Sequence, residues 1–529
     1  MSVLLLLMVL SQATPAEAGP AASAASCEGL LALKLDDTTI KSAASIEAGP
    51  FKTPGSAASA APLALPAFCR VVGVTAPAIN FEVWLPLRNW NGKFQGVGNG
   101  GTAGVISYAA MAAALNRGYA TASTDTGHVN KRAFDSTWAL GHPELVADFG
   151  HRALHVTTVN GKEVTRTFFG KPADRSYYVG CSKGGQQGLM EAQRYPEDYD
   201  CIIAGDPAHD WTRFYAGAHL WYSLATLKDP DSYIPAGKMP LLHKAVVAAC
   251  DSIDGIADGV LDDPRKCGFD PATLICKASQ DSQSCLTPKQ ARAVKDIWAG
   301  ARNSAGTLIF PGLVPGGEAG PPSGWGPWTN GTAPFTGSHF VAADGWFKNA
   351  VFENPDWDFR TFNYDRDVPF AINRVGKLVD AIDPNLMPLK RREAKLIVYH
   401  GWSDPDISPL SSINYYESVI SFMADGKSRD MALKETQEFF RLFMVPGMNH
   451  CTGGPGPSNF DMLTALEQWV EHGTAPRAVV ATHLTNGIAD RTRPLCPYPQ
   501  VARWNGKDNV NDAASFVCAA DQKQSTGKQ

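Results

Sequence analysis

The fold is decided by the stretch Ser176-Tyr-Tyr-Val-Gly-Cys-Ser-Lys-Gly-Gly-Gln-Gln-Gly188. Its first residues have the aromatic and β-branched character of a buried strand, and a helix is predicted to begin after Ser182. Between them lies the pattern Gly180-x-Ser182-x-Gly184, in which a sharp strand-to-helix turn would lift the serine hydroxyl above a sheet. A glycine-rich turn without chemistry would look the same, so Ser182 is at this point a candidate nucleophile.

Short runs rich in β-branched and aromatic residues recur on both sides of this stretch and predict the strands of one sheet. Sequence with helical spacing lies between several of them, which favours an α/β architecture with a largely parallel sheet. The predicted strands are Phe81–Leu85, Lys93–Val97, Tyr119–Ser123, Ser176–Val179, Cys201–Ala204, Leu396–His400 and Leu442–Val445, and two predicted helices are Ile106–Arg117 and Gly185–Tyr195.

The alternation of strands and helices stops between about Pro207 and Glu393, where the sequence is rich in Trp, Pro, Gly, Asp and Cys. We therefore predict an inserted lid domain over residues 207–393, between two parts of the core at 19–206 and 394–529. The segment before about Pro66 is rich in Ala, Ser, Gly and Pro, and we expect much of it to lie on the surface.

The N-terminus predicts export. The apolar run Val3–Leu10 is followed by Ala16-Glu-Ala18, which is typical of a signal peptide covering residues 1–18. Eight apolar residues are too few to span a bilayer, and we find no other run of about 20 such residues. A secreted or periplasmic location also suits the eleven cysteines, since thiols pair in an oxidising compartment.

Composition bounds the class of partner. With 529 residues, 44% hydrophobic and 19% charged, the chain is long and apolar enough for a compact core. A net charge of −5 without a Lys/Arg block argues against nucleic acid or an anionic membrane as partner. A neutral or weakly charged small molecule is the expected ligand, and the sequence identifies no partner protein.

A base and a carboxylate follow Ser182 in the order expected of an α/β hydrolase. A serine hydroxyl needs an imidazole to take its proton and a carboxylate to orient that imidazole. The loop after strand Leu396–His400 carries Asp404, and the loop after strand Leu442–Val445 carries His450. Asp406 competes with Asp404 on position alone. A lone loop aspartate or histidine is usually a turn former or a surface residue, so the prediction depends on all three together.

These residues resemble a known family. Cys181-Ser182, Asp404 and His450-Cys451 look like the CS-D-HC motif of the tannase and feruloyl esterase family, which includes mono(2-hydroxyethyl) terephthalate hydrolases. The stretches Val445-Pro-Gly-Met-Asn-His-Cys-Thr-Gly-Gly-Pro-Gly456 and Arg491-Thr-Arg-Pro-Leu-Cys-Pro-Tyr-Pro499 extend the likeness. The resemblance implies an α/β-hydrolase core with a lid and a serine esterase acting on aromatic esters.

The resemblance also implies a disulfide pattern. The two motif cysteines, Cys181 and Cys451, would be joined, which ties the neighbour of the nucleophile to the neighbour of the base. Cys201 would remain free in a buried strand, where a thiol behaves as a small hydrophobe. The other implied pairs are Cys27 with Cys69, Cys250 with Cys267, Cys276 with Cys285, and Cys496 with Cys518.

An oxyanion hole needs two backbone N–H groups aimed at the developing charge. The residue after the nucleophile, Lys183, is expected to supply one of them. The second is expected from the glycine-rich loop at 96–102, which follows a strand. Matching that loop to the family implies Gly101, with Gly100 as the neighbouring alternative.

A calcium site is predicted in the lid, where three carboxylates and two glycines fall within residues 251–260. Hard oxygen ligands this close together suit Ca²⁺, although the spacing is not that of an EF-hand. A solvated acidic turn is the alternative. The resemblance implies a structural ion, with no organic cofactor, and the implied ligands are the side chains of Asp251, Asp254 and Asp258 and the carbonyls of Ile256 and Val260.

The predicted function is hydrolysis of a small aromatic carboxylic ester, with feruloyl esters first and galloyl esters or mono(2-hydroxyethyl) terephthalate as alternatives. Aromatic residues of the lid are candidates to line an aryl slot, but such residues more often form a lid core: Trp325, Trp328, Phe335, Phe340, Trp346 and Phe347. A serine peptidase and a non-catalytic binding module are the alternatives from other classes; the binding module would be expected to have lost a triad residue.

Overall fold

The structure is a computed structural model, and it describes residues 25–57, 59–319 and 324–521. The predicted signal peptide, residues 1–18, lies outside the described residues. Among those that are described, every helix is too short or too polar to cross a bilayer.

The strands of the described residues are β1 Thr38–Ile46, β2 Gly49–Phe51, β3 Leu63–Leu65, β4 Phe68–Thr75, β5 Ile79–Pro86, β6 Lys93–Val97, β7 Ala120–Thr124, β8 Arg175–Cys181, β9 Cys201–Gly205, β10 Ala301–Arg302, β11 Leu308–Phe310, β12 Lys395–Gly401, β13 Phe440–Val445, β14 Val479–Thr485, β15 Ile488–Leu495, β16 Gln500–Trp504 and β17 Phe516–Ala520. All seven predicted strands are present, each with bounds within two residues of the prediction.

The α-helices of the described residues are α1 Tyr108–Asn116, α2 Pro143–Ala147, α3 Ala153–Phe169, α4 Lys183–Arg194, α5 Trp211–Phe214, α6 Trp221–Leu227, α7 Met239–Cys250, α8 Pro288–Ala299, α9 Ser338–Trp346, α10 Tyr364–Ala371, α11 Lys377–Val379, α12 Met387–Arg391, α13 Pro409–Ala424, α14 Arg429–Thr436 and α15 Met462–His472. Both predicted helices are present, as α1 and α4.

One nine-stranded sheet organises the core, with the strand order β1-β4-β5-β7-β6-β8-β9-β12-β13. The pairs from β7 through β13 are parallel, and β1, β4 and β5 are added antiparallel at one edge. The predicted α/β-hydrolase fold with a mostly parallel sheet is confirmed. The parallel pairing brings the carboxyl ends of β8, β12 and β13 to one edge, which is where such sheets bind ligands.

Alternate residues of the central strands face two helical layers. Tyr178, Ile202 and Val398 pack on one face with α3, α4 and α13, whereas Tyr177 and Ile203 pack on the other with α1 and α15. Side chains of a strand point alternately to opposite faces, so a sheet covered on both sides needs nearly continuous apolar runs. This is the pattern by which the sequence predicted these strands.

The described part of the N-terminal segment lies mostly on the surface, as expected, but it also forms strands that the sequence did not predict. Residues Thr38–Ile46 form the edge strand β1, which pairs with β4 along its length and buries Ile40. Leu65 of β3 is also buried. An edge strand with one side in solvent needs few apolar residues, and Thr38-Thr-Ile-Lys-Ser-Ala-Ala-Ser-Ile46 supplies few, so composition concealed it.

The chain leaves the sheet after β9 and returns at β12, which pairs directly with β9. We call the intervening residues 206–394 the insertion. They are mainly helical, with the two-stranded β10–β11 as their sheet, and bury an apolar cluster that includes Trp211, Trp325 and Trp346. The insertion therefore lies where a lid is predicted; the domain boundaries at 207 and 393 stay predictions.

Candidate active site

Ser182 lies at the turn between β8 and α4, and its backbone is strained. It has φ of 64° and ψ of −120°, a conformation that a residue with a side chain rarely adopts. The Ser182 N–H donates to the carbonyl of Gly205 at 2.9 Å, which fixes the turn against the end of β9. This is the geometry that the Gly-x-Ser-x-Gly pattern predicts for a nucleophile.

Glycines are required around this turn because three backbone segments meet there. A Cβ atom on Gly180 would lie 2.6 Å from the carbonyl oxygen of Gly184, and one on Gly98 would lie 2.6 Å from the Gly184 Cα. The loop after β6 is thereby pressed against the start of α4. Hydrogen bonds between Asn99 and Gln187, at 3.0 and 2.9 Å, hold the same contact.

Asp404 and His450 lie at the carboxyl ends of β12 and β13 and contact each other. The Nδ1 atom of His450 is 2.8 Å from Oδ2 of Asp404, and the Asp404 side chain is fully buried. Asp404 also accepts the N–H groups of Asp406 and Ile407, at 2.8 and 3.0 Å. Together with Nε2 of His400 at 3.2 Å, these donors hold the carboxylate in the position that orients the His450 imidazole.

Asp404 and Asp406 take different positions around the imidazole, which separates the two candidates. Asp404 faces Nδ1 of His450, whereas Oδ2 of Asp406 lies 3.6 Å from Nε2. Since Nε2 is the atom that exchanges a proton with a serine when a carboxylate holds Nδ1, Asp404 occupies the orienting position.

Electrostatics favour an ionised Asp404. Burial alone would raise the pKa of this carboxyl, but His450 and His400 lower it below its ordinary value. Burial would likewise lower the pKa of His450, whereas Asp404, Asp406 and Asp206 raise it above the ordinary value. The site is therefore built to stabilise an imidazolium.

Asp206 is a site residue that the sequence argument missed. It follows β9 directly, with φ of 34°, and its carboxylate accepts the N–H groups of Gly401 and Cys451, each at 2.7 Å. Burial raises its pKa to about 6. An aspartate at the carboxyl end of a buried strand was the available signal, since β9 lies between β8 and β12 in the sheet.

The Cys181–Cys451 bridge joins the residue before Ser182 to the residue after His450. Its Cα atoms are 6.0 Å apart. Cys201 is buried and free. The remaining bridges are Cys27–Cys69, Cys250–Cys267, Cys276–Cys285 and Cys496–Cys518. These are the pairs that the resemblance implies.

Within the described residues the Ser182 hydroxyl makes no hydrogen bond, so the Ser182–His450 contact required for acyl transfer is not formed here. Such contacts are often long in unliganded enzymes and tighten when substrate binds. The disulfide and the Asp404 hydrogen bond limit how far His450 can move from the nucleophile.

The two candidate oxyanion donors lie on the two segments that the glycines bring together. Lys183 begins α4, and Gly101 lies in the loop after β6 with φ of 53°. A Cβ atom on Gly184 would lie 3.2 Å from the Asn99 carbonyl oxygen, which measures how closely these segments approach. The roles of the Gly101 and Lys183 amides stay predictions.

The side chain of Lys183 turns away from solvent into an aromatic cage. Its Nζ lies 3.9 Å from the ring centre of Phe149 and 5.4 Å from that of Trp211, and it donates to Gln186. Burial lowers the pKa of this amine well below its ordinary value. The side chain therefore packs beneath the nucleophile turn, so the predicted contribution of Lys183 is its backbone amide.

Trp328 is an aromatic residue of the insertion whose ring contacts His450. Its ring lies edge-on to that of His450, and the two ring centres are 5.5 Å apart. The centre of the Trp328 ring is also 6.0 Å from that of Phe134. Phe134 in turn lies 3.5 Å from the position of a Cβ on Gly101. Phe134 was missed because it lies outside the predicted lid.

The other predicted slot residues have different surroundings. Trp325, Trp346 and Phe347 are fully buried in the insertion core. Phe335 and Phe340 pack against each other and against Phe359. The lid-core interpretation therefore holds for three of the six, and Trp328 is the one seen against His450.

The acidic loop at 251–260 has donors suited to a hard cation. The carboxylates of Asp251 and Asp254 accept N–H groups of their own loop, and Asp258 pairs with Arg493 at 2.5 Å. Burial and the neighbouring carboxylates raise the pKa of Asp254 to about 6 and that of Asp262 to about 8. The chemistry of these donors fits Ca²⁺, with Asp262 as a further carboxylate that the sequence argument missed.

The chain is similar to known esterases over most of its length. The profile of the family described as tannase and feruloyl esterase matches residues 64–519. An uncharacterized esterase of Xanthomonas campestris is 41% identical, with 94% of this chain and 92% of the relative covered. The mono(2-hydroxyethyl) terephthalate hydrolase of Piscinibacter sakaiensis is 34% identical, with 95% and 92% covered. The crystal structure of feruloyl esterase B from Aspergillus oryzae aligns with a TM-score of 0.84 at 29% identity, covering 93% of this chain and 99% of that one.

Proposed function

Since this chain belongs to the tannase and feruloyl esterase family and is a carboxylic ester hydrolase, we propose that it acts on esters of aromatic carboxylic acids. The observation that carries the proposal is the pair Phe134 and Trp328, which lies between Gly101 and His450. Two rings beside the reacting groups offer an aryl acid the edge and face contacts that aromatic groups prefer.

Within that class we propose a feruloyl-type ester as the substrate. The support comes from relatives named feruloyl esterase, including feruloyl esterase B of Aspergillus niger at 34% identity. A galloyl ester and mono(2-hydroxyethyl) terephthalate are the alternative substrates. A tannin acyl hydrolase of Aspergillus niger has the same fold, and a mono(2-hydroxyethyl) terephthalate hydrolase is 34% identical in sequence.

The proposed mechanism is acyl transfer in two steps. Ser182 attacks the ester carbonyl while His450 takes its proton, and Asp404 stabilises the imidazolium. The amides of Gly101 and Lys183 hold the oxyanion. The alcohol leaves with the proton from His450, and a water molecule then attacks the acyl-serine with His450 as its base. The Ser182–acyl bond breaks, the carboxylic acid is released, and His450 returns the proton to the Ser182 oxygen.

A structural Ca²⁺ is proposed for the acidic loop, held by the side chains of Asp251, Asp254 and Asp258 and the carbonyls of Ile256 and Val260. The ion would neutralise carboxylates that otherwise repel one another. Asp258 also pairs with Arg493 of β15, so the loop connects the insertion to the hairpin β14–β15. The ion would stabilise this contact.

Export to an oxidising compartment is proposed as well. Five disulfides support it, because such bonds persist in secreted and periplasmic proteins. The signal-peptide pattern at residues 1–18 supports it from the sequence.

The test is hydrolysis of methyl ferulate, methyl gallate and mono(2-hydroxyethyl) terephthalate by the wild type beside Ser182→Ala. We expect turnover of an aryl ester that the variant lacks, and the preferred ester selects the substrate class. Hydrolysis of a peptide substrate would favour a peptidase. Failure of the Ca²⁺-loaded, folded wild type on all three esters would overturn the aryl-esterase proposal.

A further inference from the structure

A second carboxylate faces the base from the side opposite Asp404. Asp406 is 4% exposed, and its Oδ2 lies 3.6 Å from Nε2 of His450. Its backbone N–H donates to Oδ1 of Asp404 at 2.8 Å, so the chain fixes the two carboxylates relative to each other. The imidazole therefore lies between two buried acids.

Two histidines of the insertion lie against the other oxygen of Asp406, and His219 hydrogen-bonds to it. Nε2 of His219 lies 2.7 Å from Oδ1 of Asp406, and Nε2 of His339 lies 3.3 Å from the same atom. The two rings are stacked with centres 4.5 Å apart, and both residues are 1% exposed. Nδ1 of His339 meets the Thr329 hydroxyl at 3.3 Å, which fixes its orientation.

Each element around His450 contributes a titratable group. The loop after β12 supplies Asp404 and Asp406, with His400 3.2 Å from Asp404, and Asp206 follows β9. The insertion contributes His219, His339 and the phenols of Tyr215 and Tyr222, which lie close enough to feel the Asp406 charge. Acids thus surround the base, and imidazoles surround Asp406.

The carboxylates and the imidazoles have opposite effects on how strongly His450 holds its proton. Every nearby carboxylate favours the imidazolium, which stabilises the state formed when Ser182 loses its proton. Too strong a field would keep the base protonated before reaction, when it must be neutral. A hydrogen bond donated to Asp406 weakens the negative potential that this carboxylate exerts at Nε2.

We propose that Asp406 is a positioning residue that stabilises the protonated form of His450, and that His219 and His339 limit this effect from the insertion. The inference rests on the proposed function, because it assigns His450 as the base. It gives the insertion a role in the chemistry: two of its helical segments set the protonation of a residue at the end of β13.

The test is the pH dependence of kcat/KM on an aryl ester. Asp406→Asn keeps the size of the side chain and removes its charge, so the acidic limb is expected to move to lower pH by about one unit, a tenfold change in proton affinity. His219→Leu removes the donor and is expected to move the limb to higher pH. His219→Gln, whose amide can donate to Asp406, is expected to return the limb toward the wild type.

A control is available in a second, partly exposed acid–histidine pair. Nδ1 of His155 in α3 lies 2.6 Å from Oδ2 of Asp198, which follows α4. His155→Leu removes a similar pair and is expected to leave the acidic limb where it is. Melting temperatures of all variants separate loss of fold from loss of charge.

A direct titration keeps the inference testable if no ester is turned over or if His219→Leu does not fold. The imidazole of His450 is followed by NMR against pH in wild type and in Asp406→Asn, and a lower pKa in the variant is expected. An unchanged pKa overturns the inference even if the enzyme is an esterase. The inference is also overturned if the acidic limb of the pH profile moves in the same direction in Asp406→Asn and in His219→Leu. It is likewise overturned if dialysed wild type retains a transition metal that His219→Leu loses.

Discussion

The candidate active site has two halves of different origin. The hydrolytic half, with Ser182, Asp404 and His450, is built from loops that follow parallel strands, and its parts are fixed by the sheet and by one disulfide. The substrate half comes from outside the sheet, with Phe134 in a turn and Trp328 in the short helical segment Gly326–Asn330. A sheet edge fixes where chemistry occurs, whereas turns packed above it determine what reaches that point.

The largest effect is expected in the hydrolytic half. Ser182→Ala removes the nucleophile, and kcat on the preferred ester is expected to fall by about 10⁴-fold or more. Ester hydrolysis and the melting temperature are the measurements. Activity retained in a folded Ser182→Ala enzyme would show that Ser182 is not the nucleophile and that the hydrolytic half is assigned wrongly.

A smaller effect is expected from releasing the bridge within the hydrolytic half. Replacing Cys181 and Cys451 by serine frees the nucleophile turn from the base, and a slack of 1 Å costs about a hundredfold in rate. The bridge closes a separation of 270 residues, so the free energy of unfolding is also expected to fall, by up to about 5 kcal/mol.

The control for this prediction is the double serine variant of Cys496 and Cys518, which lie 22 residues apart. We expect it to lose stability and keep kcat/KM. Equal rate losses in both double variants would show that the Cys181–Cys451 bridge acts through stability alone.

The substrate half is expected to affect selectivity rather than rate on all esters. Trp328→Ala removes the ring beside His450, and kcat/KM on methyl ferulate relative to ethyl acetate is expected to fall about tenfold, the worth of an aromatic contact of about 1.4 kcal/mol. Phe335→Ala, another ring of the insertion that is 40% exposed, is the matched control. A uniform loss on both esters would place Trp328 in the hydrolytic half.

The smallest effect on chemistry is expected from calcium. At a free Ca²⁺ concentration of a hundred times its Kd, the bound ion is expected to raise the free energy of unfolding by about 2.7 kcal/mol. Chelation is expected to remove this stabilisation and to leave kcat unchanged at temperatures below the melting range. Thermal unfolding with and without Ca²⁺ measures it, and Asp254→Asn should abolish the response. A response that survives this substitution would place the ion elsewhere.

The sequence predicted seven of the nine strands of the sheet. It also predicted the three candidate triad residues, because each follows a buried strand of high apolar content. Sequence position could not distinguish Asp404 from Asp406, because both lie in one loop. The structure distinguishes them, since Asp404 faces Nδ1 of His450 and Asp406 faces Nε2. Asp206 carried a signal of the same kind, an acid after a strand, but its contacts join it to residues 195 and 245 positions along the chain.

The insertion was harder to predict in detail. Its existence followed from the break in strand alternation, but its contribution to the site depends on which rings and imidazoles turn toward β13. His219 and His339 lie 120 residues apart along the chain, yet their rings stack and both face Asp406. Local patterns predict secondary structure well and pairings between irregular segments poorly, because such pairings depend on the packed whole.

The Cys181–Cys451 bridge also has a consequence for proteolysis. Both of its ends lie outside the insertion, one before residue 206 and one after residue 394, so a protease that cuts within the insertion leaves two fragments joined by a covalent bond. A nicked enzyme would migrate as one species without reductant and as two with it. The candidate nucleophile Ser182 and the candidate base His450 would remain tethered to each other although they belonged to different polypeptides.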